Sequence, residues 1–545
     1  MKFRSIKVVA GAVLGLAAGA VSLRSQVVPL YWLGDGATGD VRDSGNWGMV
    51  PVGDGTEDVT FANITESTEH VLIPDDGTLG GADPIGFHNV TFANDFTPYL
   101  FSSTTDAPAT LRIFGDITSI ENYTAPVVLD NTLTIALSSG AHTVDIACGS
   151  SIEVDGAITE IDPGASLIKR GGGSLLLYGD STFTGGVWVK GGTLVLGSSS
   201  TVDEYNTIVS GPVGTGTLTM KGGTTLAIAA CSEITLDNDI SLCGGSCTVT
   251  FDSSDGTLTL NGYISGGVAA TKVGSGTLVL NNGLNDFYEG LTVSAGTLVL
   301  GASSSTDGEE GYILSGPAGT GTLTLQGGTT LAIATCGDVT FDNDISLDGE
   351  GCPVVFDSSN GTLRLNGYIS GYLAAAKTGS GTLVLNNGYS DFYNGFTVRE
   401  GTLVLGASST YDVEYGVVSG PVGTGTLTMK GGTTLAIASC SEITLDNDIS
   451  LCGGSCTVTF DSSNGTLTLN GELYGSLPVA KTGSGTLVLN NRYSYFSGGL
   501  TVSEGTVLIG DSSGAEGGTI YEGPVGTSDL TLLDGTTLGV TPYSD

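Results

Sequence analysis

The sequence predicts an all-β chain wound as a β-solenoid, and three observations carry that reading: composition, a long internal repeat, and a shorter period nested inside it. Glycine fills 88 of 545 positions and charged residues only 13 %, against typical values of ~7 % and ~25 %. Glycine is a poor helix former, and the intervening segments are dense in Thr, Val, Leu and Ile, which favour strands joined by tight turns.

The long repeat is explicit. Ser-Gly-Pro-(Val/Ala)-Gly-Thr places its first glycine at Gly211, Gly316 and Gly420, and Glu522-Gly523-Pro524-Val525-Gly526-Thr527 continues the series. A second marker, Gly-Ser-Gly-Thr-Leu-Val-Leu-Asn-Asn, opens at Gly274, Gly379 and Gly483, preceded by the looser Gly171-Gly172-Gly173-Ser174-Leu175-Leu176-Leu177. The unit is about 104 residues. Inside one unit Gly-Thr-Leu recurs at Gly276, Gly296, Gly321, Gly361 and Gly381, so about five turns of about 21 residues are expected per unit and roughly 20 coils from Leu111 to Asp545. A period near 104 also suits tandem immunoglobulin-like sandwiches. The 20-residue sub-period, the lack of linkers, the absence of Trp from the later units and a fourth unit that stops partway all favour stacked coils. In Gly-Thr-Leu-x-Leu the glycine turns a corner, both leucines face inward at period two, and threonine meets water.

Four stretches are expected in order. Residues 1–20 read as a signal peptide: Lys2, Arg4 and Lys7 precede an uncharged run from Val8 to Val21 that is too short to span a bilayer, and Ala18-Gly19-Ala20 offers a cleavage site. Residues 21–110 show neither period and are expected to form an atypical β-rich cap. Residues 111–168 form degenerate coils, in which Leu129-Asp130-Asn131 echoes the later Leu236-Asp237-Asn238. Residues 169–545 hold the tandem units. No integral membrane segment is expected after signal cleavage.

One stretch resembles a known family. Lys377-Thr378-Gly379-Ser380-Gly381-Thr382-Leu383-Val384-Leu385-Asn386-Asn387, then Phe392-Tyr393-Asn394-Gly395-Phe396-Thr397-Val398 and Gly401-Thr402-Leu403-Val404-Leu405-Gly406, is similar to the autotransporter-associated β-strand repeat of bacterial passenger domains, with equivalents opening at Lys169, Lys272 and Lys481. Tyr31-Trp32-Leu33-Gly34-Asp35 through Asn46-Trp47 also resembles the opening strands of such proteins. The resemblance implies a right-handed parallel β-helix, exported, surface-displayed and non-catalytic. Autotransporters end in a membrane β-barrel, whereas the sequence reaches Gly539-Val540-Thr541-Pro542-Tyr543-Ser544-Asp545 without one. A fragment, another export route, or repeats borrowed by a different secreted protein are the expectations that follow.

Charge narrows the partners. With 56 acidic and 17 basic side chains the formal charge is −39, so a polyanion meets repulsion and nucleic-acid binding is excluded. The expected partners are cell-surface or matrix polysaccharides or other proteins. Chemistry is sparse. His70, His88 and His142 lie outside the well-formed repeats with no nucleophile-elbow pattern beside them. The pairs Asp237 and Asp239, Asp342 and Asp344, and Asp446 and Asp448 are two residues apart, which on a strand puts carboxylates ~6.6 to 6.8 Å apart on one face. That spacing suits an inverting glycosidase or Ca²⁺. An enzyme needs one site, however, and the pair occurs three times, so turns whose side chains bond the backbone or stack along the solenoid are the favoured reading. Phe287-Tyr288, Phe392-Tyr393 and Tyr495-Phe496 are expected to pack in corners, with a glycan-stacking ladder as the alternative. No catalytic, cofactor-binding or metal residue is assigned. A structural or adhesive surface protein is expected, with a polysaccharide-acting β-helix lyase or hydrolase as the alternative. Of nine cysteines, Cys231 with Cys247, Cys336 with Cys352, and Cys440 with Cys456 recur at a separation of 16 and are the expected disulfides; Cys243 with Cys247 and Cys452 with Cys456 are the competing pairs, and nine reduced thiols filling the core are the other alternative.

Overall fold

The computed structural model describes residues 30–541 apart from 33–39, 48–50, 62–68, 75–84, 94–97, 106, 121–124, 309–310, 335–336, 439 and 464. Residues 1–20, expected to be a signal peptide, and Cys336 therefore lie outside the described residues. Short strands of two to six residues follow one another around a three-sided coil, and each pairs in parallel with the strand one turn on, as Leu278 does with Leu298 and Leu298 with Leu331. The fold is a right-handed parallel β-solenoid, with slightly fewer turns from Leu111 onward than the 20 expected. The shortfall has a local cause. Val187 stacks 20 residues after Leu167, but Leu218 stacks 31 after Val187, because one coil of every unit carries an inserted antiparallel hairpin.

Alternation makes the interior. In Thr277–Leu280 the two leucines are fully buried, while Thr277 and Val279, which alternate with them, are partly exposed. Each buried leucine contributes about 1.5–3 kcal/mol relative to exposure. The ladders extend back to Leu30–Trp32, which pairs in parallel with Val59–Phe61, so the described part of the atypical first section is itself coiled. Its interior is aromatic: Trp32, Trp47, Phe61, Phe92, Tyr99 and Phe101 contact one another at centroid distances of 5.0–6.4 Å.

Each face of the prism is interrupted for two coils and then resumes, and the third face ends again at Leu473–Gly475. The first face holds ten strands from Leu30–Trp32 to Ile264–Gly266 and restarts as nine strands from Gly337–Phe341. The second holds thirteen strands to Ile369–Gly371 and restarts as five from Glu442–Leu445. The third holds four strands to Ile158–Glu160 and restarts as eleven from Glu233–Leu236. A unit therefore has eleven face strands and two breaks, which is four turns and one further face. Successive units are rotated by one face, a third of a turn, and advance ~21 Å at ~4.8 Å per coil.

Candidate functional site

The Asp-Asn-Asp corners and the hairpins beside them form the recurrent polar surface. The central Asn238, Asn343 and Asn447 are buried. Each donates its amide to two carbonyls of the Gly-Pro-Val/Ala-Gly-Thr segment in the coil below: Asn238 to Gly214 and Gly216 at 3.1 and 2.7 Å, Asn343 to Gly319 and Gly321 at 3.1 and 2.8 Å, and Asn447 to Gly423 and Gly425 at 3.0 and 2.8 Å. The flanking carboxylates serve the coil above. Asp342 accepts from the Asn366 amide at 2.6 Å, and Asn366 in turn accepts from Asn386 at 2.6 Å. Asp237–Asn261–Asn281 and Asp446–Asn470–Asn490 repeat the ladder. Asp239, Asp344 and Asp448 accept from the backbone N–H of Tyr263, Tyr368 and Glu472 at 2.8–2.9 Å. The favoured structural reading of these residues holds in all three copies.

The breaks are sealed by side chains. Where a sheet ends, the next coil supplies a side-chain oxygen to the last strand's N–H: Ser181 to Ile158, Asn285 to Ile264, Ser390 to Ile369 and Ser494 to Leu473, at 2.8–3.1 Å. The aromatic pairs split. Phe287, Phe392 and Phe496 are fully buried, as is Phe183 at the same place one unit earlier, while Tyr288, Tyr393 and Tyr495 remain about half exposed or more.

Hairpins leave the solenoid at the second break of each unit, pairing Thr201–Val202 with Ile208–Ser210, Ser305–Thr306 with Ile313–Ser315, Thr410–Asp412 with Gly416–Ser419, and Gly514–Glu516 with Thr519–Glu522. They carry exposed Tyr205, Tyr312, Tyr411, Tyr415 and Tyr521. Two clefts open between hairpin and corner. One, of about 350 Å³, is lined by Tyr312, Thr320, Thr322, Asp342 and Asp344; the other, of about 280 Å³, by Tyr411, Asp446, Asp448, Asn470 and Asn491. Among the described residues, no group of three or more His, Cys, Asp or Glu side chains is arranged to hold a metal ion, and no helix is long and apolar enough to cross a membrane.

The histidines stay apart. His142 is buried with its ring nitrogens 2.7 and 2.8 Å from the Gly115 and Ser138 carbonyl oxygens. His88 faces Asp58 at 3.1 Å, and His70 is exposed. The described cysteines are all free thiols. The expected Cys231–Cys247 and Cys440–Cys456 bridges are not formed, because the first member of each precedes the strand at Glu233–Leu236 or Glu442–Leu445 and the second precedes Val249–Asp252 or Val458–Asp461, at different corners of the prism.

One set of residues was missed by sequence reasoning. Lys169, Lys272, Lys377 and Lys481, which open the four repeats, are fully buried. Lys169 Nζ donates to the carbonyls of Arg170, Gly171 and Gly191 at 2.6, 3.1 and 3.0 Å; Lys481 makes the matching bonds to Thr482, Gly483 and Glu504. Burial lowers Lys169, Lys272 and Lys377 to about 8 and lowers Lys481 as well. A signal was available, since Lys272 stands two residues after inward-facing Ala270 and so shares its parity.

The lysine-caged segments of this three-sided solenoid are similar to a known repeat family. Residues 167–196, 271–300, 376–411 and 479–509 match the family model described as passenger-associated-transport-repeat, which bears out the resemblance drawn from the sequence. Among curated proteins, the chain is 28 % identical over 435 residues to the Adhesin BmaC autotransporter of Brucella suis biovar 1 (strain 1330), an alignment covering 77 % of this chain and 12 % of that protein. No solved structure matches the chain.

Proposed function

We propose that this chain is an exported, non-enzymatic β-solenoid of the passenger type with a structural or adhesive role at the bacterial cell surface, and that polysaccharide is the partner its hairpin clefts meet. The observation that carries the reading is repetition: all three Asp-Asn-Asp corners make the same hydrogen bonds, which commit them to the scaffold. A reaction centre occupies one place on a fold, whereas these corners occur three times. The exposed tyrosines over the clefts supply flat apolar faces, and the free edges of the corner side chains supply hydrogen-bonding groups, a combination suited to sugar rings. The charge of −39 favours neutral over anionic chains. The Adhesin BmaC autotransporter gives adhesion further support by similarity.

The test is binding of the purified protein to immobilised neutral and acidic polysaccharides, with Tyr312→Ala and Tyr411→Ala alongside. Binding to neutral polymers that falls several-fold in the double variant supports the reading. Depolymerisation of a polysaccharide that disappears in Asp342→Asn/Asp344→Asn replaces it with an enzyme.

A further inference from the structure

Two corners of the solenoid hold paired thiols that the adhesive reading does not use. Cys243-Gly244-Gly245-Ser246-Cys247 and Cys452-Gly453-Gly454-Ser455-Cys456 each link the end of one strand to the start of the next across a corner. Both central glycines of each loop have positive φ, 57° and 109° in the first and 83° and 93° in the second, so the chain reverses sharply between the cysteines. The loops fold back on the coil below. Cys247 and Gly244 carbonyl oxygens lie 2.3 and 3.0 Å from where a β-carbon on Gly222 would stand, and those of Cys456 and Gly453 lie 2.7 and 3.3 Å from the same point on Gly431. The two ends of each loop therefore crowd one glycine. Cys247 and Cys456 are exposed, while Cys243 and Cys452 are partly covered. Lys430 Nζ reaches Cys452 Sγ at 3.7 Å, and Lys221 is the register partner of Cys243.

The middle unit supplies an internal control. There Asp348 replaces the first cysteine, its register partner is Gln326 instead of lysine, and Cys352 stands alone. Cysteine and lysine come and go together.

We propose that Cys243 with Cys247 and Cys452 with Cys456 are two surface dithiols that close into disulfides within their corners by exchange with a small disulfide outside the cell. The Cys452 thiolate attacks one sulfur of the incoming disulfide, a mixed disulfide forms, and the first thiolate leaves. The Cys456 thiolate then attacks the Cys452 sulfur and the second thiolate leaves. One S–S bond breaks and one forms; the two cysteines are oxidised, the small disulfide is reduced to two thiols, and the two protons shed by the cysteines end on those thiols. Lys430 stands beside the sulfur that attacks first.

The experiment incubates the full chain with oxidised glutathione and maps it under non-reducing conditions with trypsin and a Glu-specific protease, which cuts at Glu233 and Glu442 and so separates Cys231 and Cys440 from the corner pairs. The expected result is a loss of two mass units on each peptide carrying 243–247 or 452–456, with two glutathione thiols released per pair. Cys352 should instead retain one glutathione. Cys452→Ser should trap Cys456 as a mixed disulfide, and Lys430→Gln should slow closure at 452–456 several-fold relative to 243–247 in the same molecule, with circular dichroism unchanged. Bridges at 231–247 or 440–456, or glutathione retained on Cys247 and Cys456 in the unsubstituted chain, would overturn the proposal.

Discussion

At the scale of single residues, the buried lysines and two tyrosines set the alkaline behaviour of the protein. Lys169, Lys272 and Lys377 fall from an ordinary 10.5 to about 8 because their cages exclude water. Between pH 8 and 10.5 the unfolded chain holds protons that the native chain has released, so stability rises with pH across that window. Tyr263 is pushed up to about 12, chiefly by its hydrogen bond to Asp286, and Tyr368 to about 12 by burial together with Asp391. Between pH 10 and 12 these tyrosines keep protons in the native state that the unfolded chain sheds, and stability falls. A maximum near pH 10 is expected in urea midpoints measured from pH 7.5 to 11.5; a profile declining steadily from pH 7.5 would contradict the lysine cages. The corners divide by role at the same scale. Asn343→Ala leaves the Gly319 and Gly321 carbonyls without their donor and should cost about 1–3 kcal/mol. Asp342→Asn with Asp344→Asn keeps an acceptor oxygen at each place and should cost under about 1 kcal/mol in the same denaturation assay.

At the scale of the element, Gly192, Gly401 and Gly505, each of which opens the strand that follows a caged lysine by one coil, are set against the cage beneath them. Gly401 has φ of 70°, and a β-carbon there would stand 2.4 Å from the Gly381 carbonyl oxygen and 2.9 Å from Lys377 Nζ. Gly401→Ala is expected to destabilise the third unit by about 2–4 kcal/mol, combining backbone strain with the displaced ammonium; a change within about 0.5 kcal/mol would show that the cage yields freely. The hairpins are expected to behave differently. Their roots serve the solenoid, since Ser409 donates its N–H to Thr444 and accepts from Asp446 N–H through its hydroxyl, but the strands beyond pair only with each other. Replacing residues 411–418 with a short glycine turn should leave the circular dichroism spectrum and unfolding midpoint nearly unchanged while removing the Tyr411 cleft. Loss of soluble folded protein on excision would mean that the hairpin also supports the coils.

At the scale of the whole molecule, the ten and nine strands of the first face with the two-coil break between them, rising ~4.8 Å per coil, make a rod of roughly 95–100 Å. Small-angle scattering should return an elongated cross-section profile, and a compact sphere would refute the stacking. The third-of-a-turn rotation per unit means that equivalent hairpins point along successive faces and return to the first after three units, ~62 Å further along. Single-face contact with a flat surface therefore engages few equivalent sites, whereas a flexible polymer winding round the rod can meet all of them. Pairwise tyrosine variants in adjacent units should accordingly weaken polymer binding more than binding of a short oligosaccharide.

Much of this was readable in the residues, and the limit of what was readable is physical. Period-two alternation in segments such as Thr277–Leu280 dictates which side chains face inward, because successive β-carbons point to opposite sides of a strand, and the 104-residue markers dictate that the same corner recurs. The copy number of the Asp-Asn-Asp turns pointed to side chains bonded to the backbone and to neighbouring coils, and those bonds are present in each copy. Coil length was another matter. The spacing of Gly-Thr-Leu suggested five turns per unit, yet some faces are crossed without a strand and one coil absorbs a hairpin, so the unit closes on four turns and one face. That closure depends on which strand finds a free ladder edge one turn away, a relation between residues 20 to 32 apart that no local pattern records. The lysine cages have the same origin: parity places the side chain inside, but only the stacked carbonyls of neighbouring coils make it tolerable for a cation to remain there.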